Sequence, residues 1–322
     1  MRYSSIAAFV STGAVVGQAQ LLNPVTRFEN ITFAFPNTTE WPILQTDFAP
    51  EARPDCGEES YVGHGRLVGR HALITGGDSG IGRAVAIAYM REGATVAINY
   101  LPAEEADAQD LADLLLEEFP DRPLIQIPGN LLNQTFCDEL VDRAVEQLGA
   151  LDILVNNAGV GGVHNGPEWR NITTQPRDEF RRIFDTNLFV PYYLTQMALP
   201  YMRPGSSLIY TASGQGVAPA PNAMPYGASK AALVSLMSSV AMQLAPFGIR
   251  SNAVAPGPIY TSFFYANGAT SQNVTELSAA RPFGRIGQPV EVAPLFVALA
   301  DEAMSYTSGS IFGAHGAERG IW

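Results

Sequence analysis

A chain of 322 residues is long enough to bury one full α/β core and still leave segments over at its ends. Hydrophobic residues make up 47% of it and charged residues 16%, which excludes a disordered chain. The formal net charge of −12 repels phosphate backbones and argues against nucleic acid as a partner. Only Cys56 and Cys137 are present, which excludes a disulfide-rich scaffold but leaves open whether the two pair.

Lysine is almost absent from the chain. Of its 19 basic residues, all but Lys230 are arginines. An ammonium group is more compact than a guanidinium, and its pKa responds readily to burial. We therefore predict that Lys230 occupies a position where arginine cannot substitute.

The first 19 residues have the pattern of a signal peptide. Arg2 gives a positive start, residues 6–17 are apolar and small, and residues 17–19 offer a cleavage site. The stretch is too short for a comfortable membrane span, so we expect no span in the mature chain. A weakly apolar tail is the alternative.

Glycosylation sequons point in the same direction. The motif N-x-Ser/Thr occurs five times, at Asn30, Asn37, Asn133, Asn171 and Asn273. Together with the N-terminal segment, these sequons favour a secreted glycoprotein. A cytoplasmic location is the alternative.

Residues 20–65 are predicted to form an extended arm on the surface of the main domain. The stretch has no hydrophobic periodicity, and its prolines deny it regular helix or central strand. Aromatic residues at Phe28, Phe33, Phe35 and Trp41 indicate that the arm docks on the domain.

Residues 66–322 alternate short apolar runs with helical stretches. This alternation predicts a single α/β domain, a doubly wound Rossmann fold with a seven-stranded parallel sheet. The predicted strands are 71–75, 94–98, 123–127, 151–155, 207–210, 249–254 and 310–312. The predicted helices are one that ends at residue 91 and those at 103–118, 133–147, 178–199, 227–245 and 289–300.

A glycine-rich loop lies where the first strand leads into the first helix, in Thr75-Gly-Gly-Asp-Ser-Gly-Ile-Gly82. Gly76 permits a tight turn, Gly80 lets the backbone approach a pyrophosphate, and Gly82 allows the helix to close on the sheet. The helix start then directs amide donors at the phosphates. Ser79 and Ile81 complete this predicted dinucleotide-binding loop.

A second group of small residues follows the fourth strand. In Asn156-Asn157-Ala158-Gly159, the last three residues would let a ribose lie against the backbone at the carboxyl end of the sheet. An ordinary Asn-Gly turn is the alternative for this segment taken alone.

With these motifs the chain resembles the short-chain dehydrogenases/reductases, in the compact branch with the pattern T-G-x-x-x-G-x-G. The resemblance covers about 54–317, and residues 54–61 are similar to the arm of the subgroup that includes general stress and sugar-alcohol dehydrogenases. The glycine spacing differs from the T-G-x-x-G-x-x-G of the extended-branch epimerases.

Tyr226 and Lys230 are four residues apart at the start of a helix and therefore share one face. A phenol has a pKa near 10, and a neighbouring ammonium favours the phenolate. We expect Lys230 to lower the pKa of Tyr226 so that the phenol exchanges a proton with an alcohol or carbonyl. A surface pair on a helix is the alternative.

The resemblance assigns two further catalytic residues. Ser213, near the end of the fifth strand, would hold the substrate oxygen against the Tyr226 hydroxyl. Asn187, within the helix 178–199, would support a water relay to Lys230. The alternative for Ser213 is an ordinary loop serine, with Ser207 as a rival for its role. The alternative for Asn187 is a polar residue that bends the helix.

The same resemblance assigns the nicotinamide loop to Pro256-Gly257-Pro258-Ile259, with the backbone of Ile259 holding the carboxamide and Thr261 touching carboxamide or phosphate. Residues 260–280 are expected to cover the substrate. Phe263, Phe264 and Tyr265 suggest a partly aromatic lid, although such a cluster also suits core packing.

Cofactor choice is predicted from residues that follow the second and third strands. Where NAD-preferring relatives often carry Asp, this chain has Asn99 and Tyr100, and Asn130 with Leu131 stands at the adenine contact. No cation is placed for a 2′-phosphate, and Asp78 and two glutamates after the strand would repel one. These features favour NAD(H) over NADP(H).

The sequence thus predicts an oxidoreductase that moves a hydride between NAD(P) and the carbonyl or alcohol carbon of a small molecule. A catalytically idle dinucleotide-binding module is the alternative. No metal site is expected, because the four histidines lack ligand spacing. Relatives imply a homo-tetramer or homo-dimer formed through helices 178–199 and 227–245.

Overall fold

The computed structural model describes residues 22–28, 31, 33–36, 42–161 and 171–317. The predicted signal peptide, Trp41 and the sequons at Asn30 and Asn37 lie outside the described residues. In the described part, seven parallel strands form one sheet in the order β3-β2-β1-β4-β5-β6-β7. The reversal of strand order beside β1 makes this a doubly wound sheet, as the sequence predicted.

Strands and helices alternate along the chain from residue 71. The strands are β1 His71–Thr75, β2 Thr95–Tyr100, β3 Ile125–Pro128, β4 Ile153–Asn156, β5 Ser207–Thr211, β6 Arg250–Pro256 and β7 Ile311–Ala314. The helices are α1 Gly80–Arg91, α2 Glu105–Glu118, α3 Gln134–Leu148, α4 Arg177–Phe184, α5 Val190–Ala198, α6 Met224–Leu244, α7 Ser262–Ala266, α8 Ser271–Ala279 and α9 Pro289–Ala300.

The core lies on both faces of the sheet. Alternate side chains of each strand point to opposite faces, so Ala72 and Ile74 of β1 pack in one cluster and Leu73 packs in the other. Helices α1, α2 and α9 cover the first face, and α3, α5 and α6 cover the second. Strands buried on both faces require continuous apolar runs, which is why these runs were visible in the sequence.

The two cysteines lie in different clusters of the core. Both are buried and free, and Cys56 packs on the α1 face of the sheet whereas Cys137 packs on the α3 face. The sheet between them excludes the disulfide that the sequence left open.

The helix predicted over 178–199 is interrupted. Helix α4 ends at Phe184, a π-helical turn covers Asp185–Phe189, and α5 begins at Val190. Hydrophobic periodicity does not reveal a single wide turn, because such a turn shifts the following side chains by only one residue. Strand β2 also runs two residues beyond its predicted end, since the Asn99 side chain donates to the Ile127 and Gly129 carbonyl oxygens beside it.

The arm is docked on the domain over its described length. It contains two short 3₁₀ helices, Gln45–Asp47 and Pro50–Ala52, and no longer regular element among its described residues. The Arg91 guanidinium donates to the carbonyl oxygens of Gly57, Glu58 and Tyr61, which fixes the arm along the C-terminal end of α1. The predicted docking of the arm is therefore present.

Aromatic side chains fasten the other part of the arm. Phe33, Phe35 and Phe48 of the arm pack around Tyr260, with ring centroids 5.0 to 6.1 Å from that of Tyr260. Tyr260, fully buried, also donates through its hydroxyl to the Ala52 carbonyl oxygen. The arm thereby contacts the segment that follows β6.

One stretch of the described chain, residues 221–247, has the length and apolar composition that could cross a membrane. It contains α6, which packs against β6 and contributes Leu233 and Met237 to the core. In the most apolar 18-residue part of this stretch, 28% is buried, so much of its apolar surface faces outward.

Candidate active site

The glycine-rich loop forms a cradle at the carboxyl end of β1. Gly76 and Gly80 have positive φ angles of 60° and 52°, which side chains rarely adopt. A Cβ on Gly82 would lie 1.8 Å from the Gly76 carbonyl oxygen, so only glycine fits there. With Ser79 and Ile81 between these positions, the loop brings backbone amides to the start of α1, as pyrophosphate binding requires.

Thr75 and Asn157 fasten this loop to the end of β4. The Thr75 hydroxyl accepts from the amides of Asn157 and Ala158 at 3.0 and 3.1 Å. The Asn157 side chain donates to the carbonyl oxygens of Thr75 and Gly76 and accepts from the Thr211 hydroxyl. These bonds hold the Asn157 side chain at the loop, and Ala158 lies against Gly76.

The residues predicted to contact adenosine lie at the ends of β2 and β3. Asn99 is buried and its amide group is bonded to β3, and the buried Tyr100 donates its hydroxyl to Glu105 at 2.9 Å. Asn130 is exposed and its side-chain oxygen accepts from the Leu132 amide, next to the buried Leu131. Backbone and ring surfaces, more than free polar groups, thus line this region.

An acidic group lies buried in the glycine-rich loop. Asp78 is 2% exposed, and its Oδ2 atom has no hydrogen-bond partner among the described residues. Burial, and then the negative charge of Glu104, hold the pKa of Asp78 well above its usual range. A buried carboxyl oxygen without a partner at this edge fits a ligand that carries a hydroxyl group.

Tyr226 and Lys230 lie together in the first turns of α6. The Lys230 Nζ is 5.7 Å from the centre of the Tyr226 ring and donates to the Thr211 carbonyl oxygen at 2.7 Å. Lys230 is 3% exposed, whereas Tyr226 is half-buried and hydrogen-bonded to Ser213. The alternative of an exposed surface pair is wrong, because Lys230 is buried and its ammonium lies against the end of β5 and near the Tyr226 ring.

The pKa of Tyr226 is not lowered in the way that its spacing from Lys230 led us to expect. Burial of the phenol raises the pKa of Tyr226, and the hydrogen bond from Ser213 opposes this only in part. Burial also lowers the pKa of Lys230 to about 8. Burial is the main cause of both shifts, and a phenol whose pKa lies above its ordinary value of about 10 holds its proton at neutral pH.

Asn187 lies in the π-helical turn and is fully buried. Its side chain accepts from the Val160 amide and donates to the Val160 carbonyl and to the Ser229 hydroxyl. Ser229 in turn donates to the Tyr226 carbonyl oxygen at 2.8 Å. Ser229, which sequence reasoning missed, therefore links Asn187 to the helix turn that presents Tyr226.

The loop after β6 closes the other side of the site. Ile259 pairs with Gly287 in a short parallel bridge, and a Cβ on Gly257 would lie 2.8 Å from the His315 backbone. Thr261 is buried beside Gly80, where a glycine Cβ would lie 3.0 Å from its methyl carbon. Pro256 ends β6. Through the contact between Thr261 and Gly80, the predicted nicotinamide loop that follows this strand meets the glycine-rich loop.

The segment predicted as an aromatic lid reaches Tyr226. Phe263 of α7 lies with its ring centroid 5.7 Å from that of Tyr226, and Tyr265 packs on Phe35 of the arm. Phe264 belongs to the aromatic cluster around Tyr260. Of these three residues, Phe263 therefore suits the predicted lid, and Phe264 and Tyr265 suit the alternative of packing.

The geometry resolves into a dinucleotide cradle at one end and a Ser–Tyr–Lys group at the other. Among the described residues no group of three or more His, Cys, Asp and Glu side chains could hold a metal ion. A family model described as enoyl-(acyl carrier protein) reductase matches residues 76–316, three quarters of the chain.

Similarity to known proteins extends over most of the chain. The oxidoreductase YhxD of Bacillus subtilis (strain 168) is 42% identical over 304 residues, 94% of this chain and 98% of that protein. The chloroplastic NADPH-dependent aldehyde reductase 1 of Arabidopsis thaliana is 38% identical over 272 residues, 83% and 92% of the two chains. The chain belongs to the short-chain dehydrogenase/reductase family.

Solved structures of the family share the fold. A short-chain dehydrogenase from Burkholderia cenocepacia J2315 in complex with NADP superimposes with a TM-score of 0.70 at 29% identity, over 78% of this chain and 98% of that one. As a short-chain dehydrogenase/reductase, this chain is an NAD(P)-dependent oxidoreductase with a Rossmann fold. The family that the motifs indicated is thereby confirmed.

Proposed function

We propose that the chain reduces the carbonyl group of a small molecule, or oxidises the matching alcohol, with Tyr226 as the acid/base. The observation that carries the proposal is the placement of Tyr226 between Ser213 and the buried Lys230. A nicotinamide dinucleotide, when bound, supplies or accepts the hydride. The protein's own residues then handle the substrate oxygen and its proton.

Each side chain has a separate task in this proposal. The Ser213 hydroxyl donates a hydrogen bond to the substrate oxygen and holds it at the Tyr226 hydroxyl. In reduction, the carbonyl carbon gains the hydride and its oxygen gains the Tyr226 proton, whereas oxidation runs both transfers in reverse. Lys230 offsets the negative charge that forms on the phenol oxygen.

The raised pKa of Tyr226 sets a direction for the pH dependence. A phenol that holds its proton at neutral pH is ready to donate in carbonyl reduction. Alcohol oxidation needs the phenolate, so we expect the oxidation rate to rise as the pH increases above neutrality and the reduction rate to fall at alkaline pH.

Turnover of carbonyl compounds and alcohols, followed at the NAD(P)H absorbance band, tests the proposal. We expect Tyr226→Phe to reduce turnover by about 10²- to 10⁴-fold while the dissociation constant of the dinucleotide stays within about twofold. Unchanged turnover in this variant would contradict the role of Tyr226, and dinucleotide binding without any turnover in the wild type would support the idle dinucleotide-binding module instead. Turnover of an enoyl thioester without carbonyl or alcohol turnover would shift the reaction to a carbon–carbon double bond.

NAD(H) is the cofactor that we propose for this chain. Three acidic residues, Asp78, Glu104 and Asp107, lie close enough to influence one another at the loop beside β2. Negative charge on any of them disfavours a 2′-phosphate, and the Asp78 carboxyl can hydrogen-bond a ribose hydroxyl whether or not it holds its proton. The aldehyde reductase and the Burkholderia dehydrogenase named above use or contain NADP(H), so a higher kcat/KM with NADP(H) here would overturn this proposal.

We also propose that the chain forms a homo-tetramer or homo-dimer through α5 and α6. The outer surface of this region exposes Phe189, Tyr192 and Tyr193 by 43–44%, and Met242 by 74%. Exposed aromatic groups in such number are typical of an interface. Light scattering at micromolar concentration would test it, and a monomer would contradict it.

Entry into the secretory pathway remains a proposal. The three sequons within the described residues, at Asn133, Asn171 and Asn273, all have exposed side chains, which suits glycosylation. N-terminal sequencing of the protein from its native source would find residue 20 or a near neighbour first, and an intact Met1 would contradict cleavage.

A further inference from the structure

The arm reaches into the glycine-rich loop through one buried side chain. Gln45 is 4% exposed, and its side-chain oxygen accepts from the Gly80 amide at 3.0 Å. The first amides of a helix have no partner within the helix and are the groups that bind phosphate. Gln45 thus accepts the hydrogen bond of the Gly80 amide. The amides of Ile81 and Gly82 are left at the helix start for a ligand.

The position of Gln45 is fixed by a second buried group. The Asp107 carboxylate, 1% exposed, accepts from the Gln45 amide at 2.5 Å and from the Thr46 amide and hydroxyl at 2.8 and 2.6 Å. Asp107 belongs to α2, the helix that follows β2. At Gln45 the arm is therefore hydrogen-bonded both to α1, through Gly80, and to α2, through Asp107. These two helices follow β1 and β2 at the nucleotide end of the sheet.

Cys56 completes the contact. Its sulfur lies 3.4 Å from the Gln45 Nε2 and 3.4 Å from the Gly80 carbonyl oxygen. Both the amide and the carbonyl of Gly80 are thus contacted by the arm. Gly80 has a positive φ of 52°, so its peptide orientation depends on these neighbours more than on local preference.

We infer that Gln45 is a positioning residue for the dinucleotide: it orients the Gly80 peptide so that the Ile81 and Gly82 amides face the pyrophosphate. This inference rests on the proposed function, since it concerns the same nucleotide end. It assigns to the arm, which lies outside the matched family region of residues 76–316, a part in cofactor binding.

Gln45→Met tests the inference, because methionine keeps the length of the side chain and removes the acceptor. We expect the dissociation constant of NAD⁺ to rise about tenfold, the size of one lost buried hydrogen bond, with kcat at saturating NAD⁺ and the KM of the carbon substrate within about twofold. ADP-ribose, which carries the pyrophosphate but no nicotinamide, is expected to lose affinity by the same factor.

Tyr61→Phe is the matched control. The Tyr61 hydroxyl donates to Glu92 at 2.7 Å, so this variant also removes one arm-to-domain hydrogen bond, but at the opposite end of α1. We expect it to lower the melting temperature as Gln45→Met does and to leave NAD⁺ affinity within about twofold. Thr46→Val, which loosens the Asp107 anchor and spares the acceptor, should raise the dissociation constant by about threefold even if Gln45→Met fails to fold.

Three outcomes would overturn the inference. They are unchanged NAD⁺ affinity in both Gln45→Met and Thr46→Val, an equal loss of affinity in Tyr61→Phe, and a loss for NAD⁺ that ADP-ribose does not share. A wild-type protein that binds neither NAD⁺ nor NADP⁺ would instead overturn the proposed function, and with it the inference.

Discussion

Lys230 places a charged ammonium group in a site with little access to solvent. Its ammonium is 3% exposed and donates to a backbone carbonyl, and burial holds its pKa at about 8. An unfolded chain returns the lysine to its ordinary pKa near 10.4. Below about pH 8 the protein therefore carries the whole cost of burying the charge, which disappears as the pH rises from 8 to above 10.

Lys230→Met is accordingly expected to stabilise the protein at neutral pH while it removes activity. The pKa difference corresponds to about 3 kcal/mol, from which the lost bond to Thr211 subtracts about 1 kcal/mol. Urea unfolding should show a free energy of unfolding about 2 kcal/mol higher than the wild type at pH 7 and no higher at pH 11. A variant less stable than the wild type at pH 7 would refute this account.

The juxtaposition of Tyr226 and Lys230 could be predicted because it leaves a local pattern in the sequence. Tyr226 and Lys230 are one helical turn apart, and the lack of any other lysine isolates the second of them. Ser229 and Gln45 carry no such pattern: the bond from Asn187 to Ser229 and the bond from the Gly80 amide to Gln45 join residues 42 and 35 positions apart, which only folding brings together. The raised pKa of Tyr226 was equally hidden, since it follows from enclosure and not from spacing.

The segment after β6 depends on the arm for its packing. Phe35 contacts the rings of Tyr260 and Tyr265, and its amide donates to the Ser271 hydroxyl at the start of α8. The neighbouring Phe263 lies on Tyr226. Movement of this segment would therefore change how the substrate is enclosed.

Phe35→Ala is expected to raise the KM of the carbon substrate several-fold and to lower the free energy of unfolding by about 2 kcal/mol, because the ring is only partly buried. Phe28→Ala provides the control, since Phe28 also belongs to the arm but packs on the guanidinium groups of Arg27 and Arg285. Steady-state kinetics of both variants decide the matter, and an equal change in KM would count against the arm as a support of the lid.

Elements with strong periodicity were predicted to within a few residues of their ends. The seven strands follow from apolar runs, since a parallel sheet is buried on both faces. The π-helical turn at 185–189 was not visible, because one additional residue in a turn preserves the apolar pattern on either side. The arm was recognised by its lack of periodicity, and Phe33 and Phe35 were among the aromatic residues expected to dock it. Its attachment through Gln45 could not be read from the sequence.

The exposed aromatic surface of α5 gives a prediction for the whole molecule. Replacing Tyr193, 43% exposed, by Arg places a charge in the proposed interface, where an unpaired charge is costly. We expect the variant to have a lower molar mass in light scattering than the wild type. Tyr306→Arg serves as the control, because Tyr306 is fully exposed on the loop before β7. An unchanged mass for Tyr193→Arg would place the interface elsewhere.

The bond between Gln45 and Gly80 indicates how far the functional domain extends toward the N-terminus from the first strand. A shortened version that starts at the first strand would retain the Ser–Tyr–Lys group and the whole sheet. It would also expose the α1 face now covered by Cys56 and the Tyr260 side chain now covered by Phe48, and would free a helix-end amide to solvent. Engineering that transplants catalytic loops between relatives should therefore move residues 42–65 together with the nucleotide end, as one unit.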